Sequence, residues 1–379
     1  MQRQMKRIIY VPHDLLNKNF GALKLANKKD DLIVLIESAR TLSDKKWHSQ
    51  RLQFIISSAR HFAKELTADG YQVIYHQAKT TVDGLKEIAK ENKIEKIVTT
   101  FPTGYKRLDS LRELSVEFVD SDYFLTPTAE FKDWADSQKS FKMESFYRKQ
   151  RVKFNLLMEG KDPLGGEWNY DHENRNPVPK DYQAHELAEF EFDEIDKEVA
   201  DQVAKLDTWG NSKNKYWATT RKQALLRLNE FIKYNFKDFG AYEDAMPADS
   251  WSVNHSVISP YLNNGLLNPI EVVQAAIKAF EKGEIPLASC EGFIRQIIGW
   301  REYVNGMYWY LGEQFRNENQ LGANRKLLPL FEDSTKTKMN CVSSIVSDIE
   351  ERAWTHHIPR LKVLSNLANL TGVTPAEFL

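Results

Sequence analysis

The chain has 379 residues, of which 42% are hydrophobic and 28% are charged, and its formal net charge is −1. This length predicts two or three domains, and the composition is typical of a soluble globular protein that can build full cores. A net charge near zero excludes a molecule that is basic over its whole surface, so any surface for nucleic acid must be local.

The N-terminal segment and the cysteine content indicate the compartment. MQRQMKRIIYVPHDLL carries positive charge, but its apolar run is too short for the hydrophobic region of a signal peptide. No apolar stretch approaches the roughly 18 residues of a membrane span. The two cysteines, Cys290 and Cys341, fit no metal-ligand spacing and argue against a disulfide scaffold. We therefore expect a cytoplasmic protein that does not contact a membrane.

The first 125 residues alternate between strand-like and helix-like patterns. The short apolar runs RIIYVP, LIVLIE, YQVIYH, KIVTT and VEFVD are typical of buried parallel strands. Between them, residues 51–66 place their apolar side chains on one helical face. The alternation predicts a doubly wound, Rossmann-like α/β domain over 1–125. No G-x-G-x-x-G follows the first strand, so the usual dinucleotide site is not indicated.

The remaining chain changes character twice. In 126–250 the turn-rich segment DPLGGEWNYDHENRNPVPKDY predicts a long ordered loop, and an acidic run at 186–201 indicates a solvated connector. We expect 126–250 to be an interdomain linker with partial helices. From residue 251 the pattern is helical, with interruptions at NNGLLNP and EKGEIP, which predicts an all-α domain over 251–379.

Two segments of the helical part combine polar groups with apolar stripes. In HSVISPYLNNGLLNP, Ser256 and Ser259 precede an apolar turn, which suits either a phosphate at a helix N-terminus or two ordinary N-caps. In EGFIRQIIGWREYVNGMYWY, Arg301 and its charged neighbours lie close to Trp300 and further aromatic residues. This combination suits a planar, charged ligand and equally suits an aromatic core.

A third segment, ERAWTHHIPRLKVLSNLANL, raises the same choice for two adjacent histidines. Its leucines recur at threes and fours, which predicts an amphipathic helix over 351–370. Neighbouring side chains on a helix diverge by about 100°, so His356 and His357 cannot both point in one direction. Either they are satisfied interior histidines or at least one of them faces a ligand.

A local basic segment, FKMESFYRKQRVKF, lies in the linker. It carries Arg148, Lys149 and Arg151 among further lysines, and aromatic residues are interleaved with them. Such cations can neutralise DNA phosphates. A solvated amphipathic helix is the alternative interpretation.

These segments together resemble the photolyase/cryptochrome family. S-x-x-S-P-Y-L-x-x-G with a following L-x-P, then G-W-R-E-Y, then W-x-H-H-x-x-R-L occur in the order of that family. MESFYRKQR (143–151), GGEWNYDHENR (165–175), FGAYEDAM (239–246), EGFIRQIIGWREY (291–303) and MNC (339–341) are most similar to the bacterial branch that carries an iron–sulfur cluster, the prokaryotic (6-4) photolyases and their cryptochrome-like relatives. The resemblance runs along the whole chain.

The resemblance implies a light-driven lyase that repairs pyrimidine–pyrimidone (6-4) photoproducts in UV-damaged DNA. Reduced FAD in the helical domain would pass an electron to a flipped-out lesion, and 6,7-dimethyl-8-ribityllumazine in the α/β domain would serve as antenna. The residues at the flavin would be Tyr242, His255, Ser256, Ser259, Arg301 and Arg360. The residues at the lesion would be Trp300 and the catalytic histidines His357 and His356, with Arg148, Lys149 and Arg151 at the DNA.

The chain also departs from the family pattern. Members of the family continue past TGVTPAEFL with an aromatic helix, a segment that reaches the flavin and a cysteine cluster. Of the four cluster ligands only Cys341 is matched, so a [4Fe–4S] cluster is not expected in this chain. We expect a monomer that is C-terminally truncated, either as an interrupted gene product or as a fragment whose remainder is encoded separately. A cryptochrome-like photoreceptor without repair activity and an inactive remnant are the alternative functions.

Overall fold

The computed structural model describes residues 5–213 and 215–378, which form two compact units. Each unit is built from three separate stretches of sequence. Unit 1 comprises the described residues through Tyr123, Ala188–Leu226 and Ile258–Asn268, and unit 2 comprises Phe124–Leu187, Arg227–Val257 and the described residues from Pro269 onward. Residues 126–250, expected to be a linker, are therefore divided between the two units.

Short strands and longer helices alternate in the first part of the chain. The strands are β1 Arg7–Tyr10, β2 Asp31–Ser38, β3 Trp47–His48, β4 Gln72–Ala78, β5 Lys96–Thr100, β6 Val116–Val119, β7 Met158–Glu159, β8 Asp162–Pro163 and β9 Thr208–Trp209. The helices through residue 242 are α1 Gly21–Lys24, α2 Ala39–Ser43, α3 Ser49–Ala68, α4 Thr81–Asn92, α5 Tyr105–Arg112, α6 Thr128–Asp136, α7 Met143–Phe154, α8 Glu194–Val203, α9 Arg221–Glu230 and α10 Phe236–Tyr242.

The rest of the chain is helical, and several of its helices contain π-helical turns. The helices are α11 Ser259–Asn264, α12 Pro269–Glu281, α13 Leu287–Ile294, α14 Glu302–Leu311, α15 Asn340–Arg352, α16 Asn366–Leu370 and α17 Pro375–Phe378. The π-helical stretches are Phe231–Asn235, Arg295–Arg301 and Pro359–Ser365, which join α9 to α10, join α13 to α14 and precede α16.

The sheet of unit 1 confirms the predicted doubly wound domain. Five parallel strands have the order β4-β2-β1-β5-β6, so the strand order reverses between β1 and β5. Every residue of β2 is buried because helices cover both faces of its position in the sheet. The apolar residues of β1, β2 and β5 form one core with α4 and α5.

The acidic run at 186–201 contains helix α8. The prediction that it is only a solvated connector was therefore wrong. Ile195, Val199 and Val203 recur every four residues and pack against Leu52 and Ile56 of α3. Asp193 caps α8 by accepting a hydrogen bond from the backbone N–H of Asp196, and the Asp196 side chain reciprocates. The acidic residues thus favour the helix N-terminus while the apolar stripe binds α3.

Unit 2 is held together mainly by aromatic side chains. The rings of Phe231 and Phe293 pack against each other and against those of Phe236 and Phe239, with centroid distances between 4.8 and 5.9 Å. A second cluster joins Phe131, Trp134 and Phe146 to α14. Gly306 of α14 permits this approach, because a Cβ at that position would overlap the ring of Phe131.

The segment 351–370 differs from the single amphipathic helix that was predicted. Helix α15 ends at Arg352, Ala353 has a left-handed backbone, and Trp354 to His356 have no regular structure. Pro359 then lies in the first turn of the π-helical stretch, where its missing N–H costs no hydrogen bond. Ile358 and Leu364 are buried as expected, whereas Leu370 is 80% exposed.

Among the described residues, no helix combines the length and the apolar character that crossing a bilayer would require.

Candidate functional site

Three histidines from distant parts of the sequence meet in unit 2. The ring of His356 stacks on that of His255 at a centroid distance of 4.4 Å, and His357 lies edge-on to His255 at 5.4 Å. One ring nitrogen of each histidine lies within 4.8 Å of the other two. We call these residues the histidine cluster. It brings together the two predicted catalytic histidines and one predicted flavin residue.

The backbone around His255 is strained on both sides. Val253 and Val257 adopt φ angles of 47° and 53°, which β-branched residues rarely populate. Both valines are buried, so their packing opposes relaxation of the loop between α10 and α11. Such strain is concentrated at functional sites, where it fixes a side chain that the unstrained chain would not hold.

The histidine cluster is neutral at physiological pH. Burial lowers the pKa of His356, and together with smaller contributions from the neighbouring His357 and Arg360 it brings that pKa to about 3. Burial also lowers the pKa values of His255 and His357. The Nδ1 atom of His356 is buried and has no hydrogen-bond partner among the described residues. The cluster therefore offers ring nitrogens that protein groups leave unsatisfied.

Glu243 connects the cluster to a buried polar network. Its backbone oxygen lies 3.2 Å from Nε2 of His255, which must carry the proton because a carbonyl only accepts. Its carboxyl group accepts hydrogen bonds from the amides of Asn174 (2.9 Å) and Gln296 (2.8 Å). Burial raises the pKa of Glu243 to about 8, because these neutral donors only partly replace water.

Arg295 supplies a buried cation to the same unit. Its guanidinium forms ion pairs with Asp171 (2.6 Å) and Glu291 (3.1 Å), while its Nη2 atom has no partner among the described residues. Glu291 also accepts a hydrogen bond from the hydroxyl of Tyr147 at 2.8 Å. Arg295 is thus held rigidly, with one donor face left for another group.

The other predicted flavin residues lie in different settings. Ser256 is half-buried in unit 2, whereas Ser259 is exposed at the first residue of α11 in unit 1. Tyr242 stands edge-on to Tyr182 at 6.3 Å. The guanidinium of Arg301 lies 2.9 Å from Glu302 and 4.2 Å from the ring centre of Phe124, and that of Arg360 donates to the backbone oxygen of Thr355 at 2.9 Å.

The basic helix α7 has only part of the surface that DNA contact requires. Arg148 is exposed and lies 3.0 Å from Glu144, and Lys149 lies 3.8 Å from Glu130. Arg151 is fully buried, and its guanidinium donates to the backbone carbonyls of Leu156, Leu157, Glu167 and Trp168.

The burial of Arg151 removes it from the predicted DNA-contacting set. The guanidinium of Arg151 instead holds the loop after α7 in place through its hydrogen bonds to backbone carbonyls. Phe146 and Tyr147 are buried as well, so the aromatic residues of the segment belong to the core. Trp300, predicted at the lesion, is 45% exposed and remains accessible.

The chain's thiols do not fit an iron–sulfur cluster. Cys341 is exposed in the first turn of α15, and Cys290 is buried with its thiol 3.8 Å from the backbone oxygen of Ala276. The sequence has only these two cysteines, whereas such a cluster takes four ligands. The donor set agrees with the expectation that this chain alone does not hold the cluster.

A second polar group lies at the carboxyl ends of the strands in unit 1. His13 is half-buried and follows β1, and its buried Nε2 atom has no partner among the described residues. Asp14 lies beside it and pairs with Arg107 at 2.6 Å. Glu37, at the end of β2, accepts hydrogen bonds from Tyr75 at 2.6 Å and from Arg60 at 3.0 Å. Ligands of open α/β sheets bind at this edge, where the strand order reverses.

Sequence reasoning missed Glu243, Asn254 and the role of Arg295. Asn254 has a buried Nδ2 atom without a partner among the described residues. The available signal was Glu243 within FGAYEDAM, an acidic residue directly after a helix whose inner face is aromatic. Such a position predicts a buried carboxyl group, but its partners come from segments too distant for pattern analysis.

Comparisons with known proteins agree with this architecture. The chain is 98% covered by an alignment with a (6-4) photolyase from Agrobacterium fabrum, at 38% identity and covering 76% of that protein. A crystal structure of a class III photolyase from Agrobacterium tumefaciens superposes with a TM-score of 0.60 at 16% identity, covering 98% of this chain and 74% of the other. The Synechocystis cryptochrome gives a TM-score of 0.66 at 15% identity, covering 100% and 78%.

The fold is therefore that of photolyases and cryptochromes, in which a parallel-sheet part is combined with a helical part. A family model described as deoxyribodipyrimidine photo-lyase-related protein matches residues 9–217. The chain belongs to this photolyase-related family.

Proposed function

We propose that this chain is an FAD-dependent, light-driven DNA lyase that repairs pyrimidine–pyrimidone (6-4) photoproducts. The observation that carries the proposal is the histidine cluster, in which His356 and His357 are brought together in a chain with 38% identity to a (6-4) photolyase. Their clustering with His255 supports a shared pocket, which two satisfied core histidines would not require.

The polar groups of unit 2 fit a nucleotide cofactor. His356 Nδ1, Arg295 Nη2 and Asn254 Nδ2 are buried nitrogens without partners among the described residues. Buried polar groups are normally satisfied, so the two N–H donors among them, Arg295 Nη2 and Asn254 Nδ2, call for a ligand rich in acceptors, such as the phosphates and hydroxyls of FAD. When bound, FAD would supply the light-driven electron transfer. His255, Ser256, Tyr242 and Arg360 remain the proposed contacts in unit 2, together with Arg301.

The histidines would handle the proton of the reaction. A neutral His357 can take up a proton at one ring nitrogen, and its pKa, which burial lowers, favours release of that proton in the same cycle. His356, whose pKa is about 3, would hold its neighbour in place as a neutral hydrogen-bonding group. Because the pKa values of His356 and His357 are lowered, either ring would readily give its proton to the damaged base once protonated.

Binding of UV-damaged DNA would use the exposed part of the predicted set. A flipped base can stack on Trp300, whose side chain is 45% exposed. Arg148 and Lys149 can exchange their carboxylate partners for phosphates. In unit 1, the polar group formed by His13, Asp14 and Glu37 supports a lumazine antenna, because it offers donors and acceptors at the ligand-binding edge of the sheet.

The first test is the visible absorption spectrum of the purified chain, kept in the dark. We expect a flavin spectrum at near-stoichiometric occupancy. Illumination with an oligonucleotide that carries one (6-4) photoproduct should then restore the two bases. His357→Ala should reduce repair at least about 100-fold, the scale of lost acid–base catalysis, and leave the flavin bound. The matched control is His172→Ala, since His172 is an exposed histidine of the same unit.

The outcomes separate the alternatives. Bound flavin without repair of any lesion contradicts the lyase and favours a photoreceptor. A colourless protein contradicts the flavin proposal for this chain and favours the remnant. Equal repair by His357→Ala and His172→Ala would refute the proton-handling role while leaving the lyase itself standing.

A further inference from the structure

We propose that His255, His356 and His357 bind one divalent transition-metal ion of the Zn²⁺ type. The site follows from the geometry of the histidine cluster alone, and it does not depend on the proposed function. Because the same three residues are proposed at the flavin and the lesion, the ion would occupy the cluster in place of those ligands.

The ligand geometry is the main support. One nitrogen from each of the three rings lies within 4.8 Å of the other two. Tetrahedral coordination with Zn–N distances near 2.0–2.1 Å requires nitrogens roughly 3.3–3.4 Å apart. Rotations of the three rings by about 1 Å at the nitrogen therefore close the site, without a change of fold. Two of the three rings are buried, so coordination orders no mobile side chain.

The surroundings of two of the rings leave a ring nitrogen available to an ion. Nε2 of His255 faces the backbone oxygen of Glu243 at 3.2 Å, which fixes the tautomer and leaves the Nδ1 lone pair available. A bond of this kind from the outer ring nitrogen to a carbonyl oxygen is what orients metal-bound histidines. Nδ1 of His356 is buried and has no partner among the described residues, so a bound ion would satisfy it.

A second group of possible ligands, His61 with Asp193 and Asp196, shows the contrast. Nδ1 of His61 lies 2.8 Å from the backbone oxygen of Ser57, and its Nε2 lies 3.0 Å from Asp193. Both nitrogens face oxygen acceptors, and both aspartates cap α8. Both ring nitrogens of His61 thus already face oxygen atoms of the protein, and His61 serves as the matched control.

The ligand type selects the ion. Three neutral imidazoles suit Zn²⁺, Co²⁺, Ni²⁺ or Cu²⁺, whereas Mg²⁺ and Ca²⁺ prefer oxygen. The negative charge of Asp244 favours a positive charge at His357, whereas the positive charges of Arg360 and Arg295 oppose it. These opposed charges predict a weaker site than a dedicated structural zinc site. Three protein ligands leave the fourth position open for water or an anion.

The experiment is a Co²⁺ titration of the full chain, read by the visible ligand-field absorption at wavelengths beyond the flavin bands. We expect saturation at one equivalent, displacement of the signal by Zn²⁺ and a higher unfolding temperature with the ion. His356→Gln and His357→Gln should each weaken binding about 100-fold through the loss of one of three ligands. His61→Gln should bind as the unaltered chain does.

Folding of the variants is checked by circular dichroism and by their unfolding temperature without metal. If His356→Gln does not fold, His357→Gln decides, because His357 is only half-buried. Binding that is unsaturable, or equally strong in the His357 and His61 variants, overturns the site. Co²⁺ absorption can be measured on the chain without flavin. A missing Co²⁺ signal is therefore distinguishable from failure of the flavin proposal.

Discussion

Two buried carboxyl groups, Glu37 of unit 1 and Glu243 of unit 2, have opposite pKa shifts. Burial acts to raise the pKa of both groups. At Glu37 it is outweighed by the hydroxyl of Tyr75, the amide of Gln202 and the guanidinium of Arg60, so the pKa is lowered. At Glu243 the hydrogen bonds come from amides only, and nearby Asp244, Asp171 and Glu291 add negative charge, so the pKa rises to about 8.

The comparison teaches that a buried carboxyl group keeps its charge where several donors and an adjacent cation act together, since Tyr75, Gln202 and Arg60 all lower the pKa of Glu37. A carboxylate retains its charge in the interior when a cation touches it. Arg60 touches Glu37 at 3.0 Å, whereas the contacts of Arg295 are made with Asp171 and Glu291. The polar interior around Glu37 is therefore charged, and the interior around Glu243 and the histidine cluster is neutral.

Acidification should separate the two regions most strongly. The pKa values of the cluster histidines are lowered in the folded state, so as the pH falls below about 6.5 the unfolded chain gains their protons before the folded chain does, and His356 stays neutral in the folded chain down to about pH 3. The free energy of unfolding should then fall by up to about 1.4 kcal/mol per pH unit for each histidine. The stability from Glu37 is lost only below its ordinary pKa near 4.5.

Urea unfolding at pH 7, 6 and 5 measures this slope. His356→Gln should lower the slope, and the exposed His172→Gln should leave it unchanged. An unchanged slope in His356→Gln would contradict the burial of a neutral histidine at that position.

Arg60→Met should make Glu37 resemble Glu243. Removing one partner of a buried ion pair leaves an uncompensated charge, with a cost of about 3 kcal/mol at pH 7. The pKa of Glu37 should rise, so part of the loss should be recovered near pH 5. The exposed Arg40→Met is the control for loss of a cation, and equal effects of the two substitutions would exclude a special role for the pair.

Glu243→Gln tests the opposite case. Because the folded-state pKa is about 8, the folded carboxyl keeps a proton that the unfolded chain releases above pH 4.5, which lowers stability as pH rises through this window. The glutamine variant lacks this penalty and should be more stable by about 1–3 kcal/mol at pH 8. At pH 4.5 the gain should vanish, and destabilisation at both pH values would show that the carboxyl is charged in the fold.

Arg148→Ala should give the smallest effect and so define the baseline. Its exposed pair with Glu144 lies one helical turn apart on α7, and such pairs contribute about 0.3–0.5 kcal/mol. If Arg148 also contacts a phosphate, the salt dependence of DNA binding should weaken by about one ion. A larger loss of stability would mean that Arg148 and Glu144 belong to a wider network of charged side chains.

The sequence was informative where burial is continuous along the chain. Parallel strands are covered on both faces, so runs such as LIVLIE predicted the sheet directly. The apolar stripe of α3 was equally visible. The stripe of α8 was hidden, because acidic residues between its isoleucine and valines suggested a solvated segment.

The candidate site was predictable only in part. His255, His356 and His357 were identified from the family resemblance, and their clustering is a property of the fold. Glu243 and Asn174 were out of reach because 69 positions of sequence separate the two. Arg151 was predicted to contact DNA but is fully buried, although it lies only three positions after the exposed Arg148 on α7. Residues three positions apart share one side of a helix, so the sequence pattern did not separate the two arginines.

The discontinuous build of unit 1 has a consequence for synthesis on the ribosome. The hydroxyl of Tyr261 accepts a hydrogen bond from the backbone N–H of Ala218 at 3.0 Å, and the side-chain amide of Asn17 donates to the backbone oxygen of Gly265 at 2.9 Å. The sheet is complete once β6 has emerged, but it cannot gain these contacts until residues near 265 have been translated. A nascent chain paused before that point would hold a half-finished domain, which is the state that chaperones recognise.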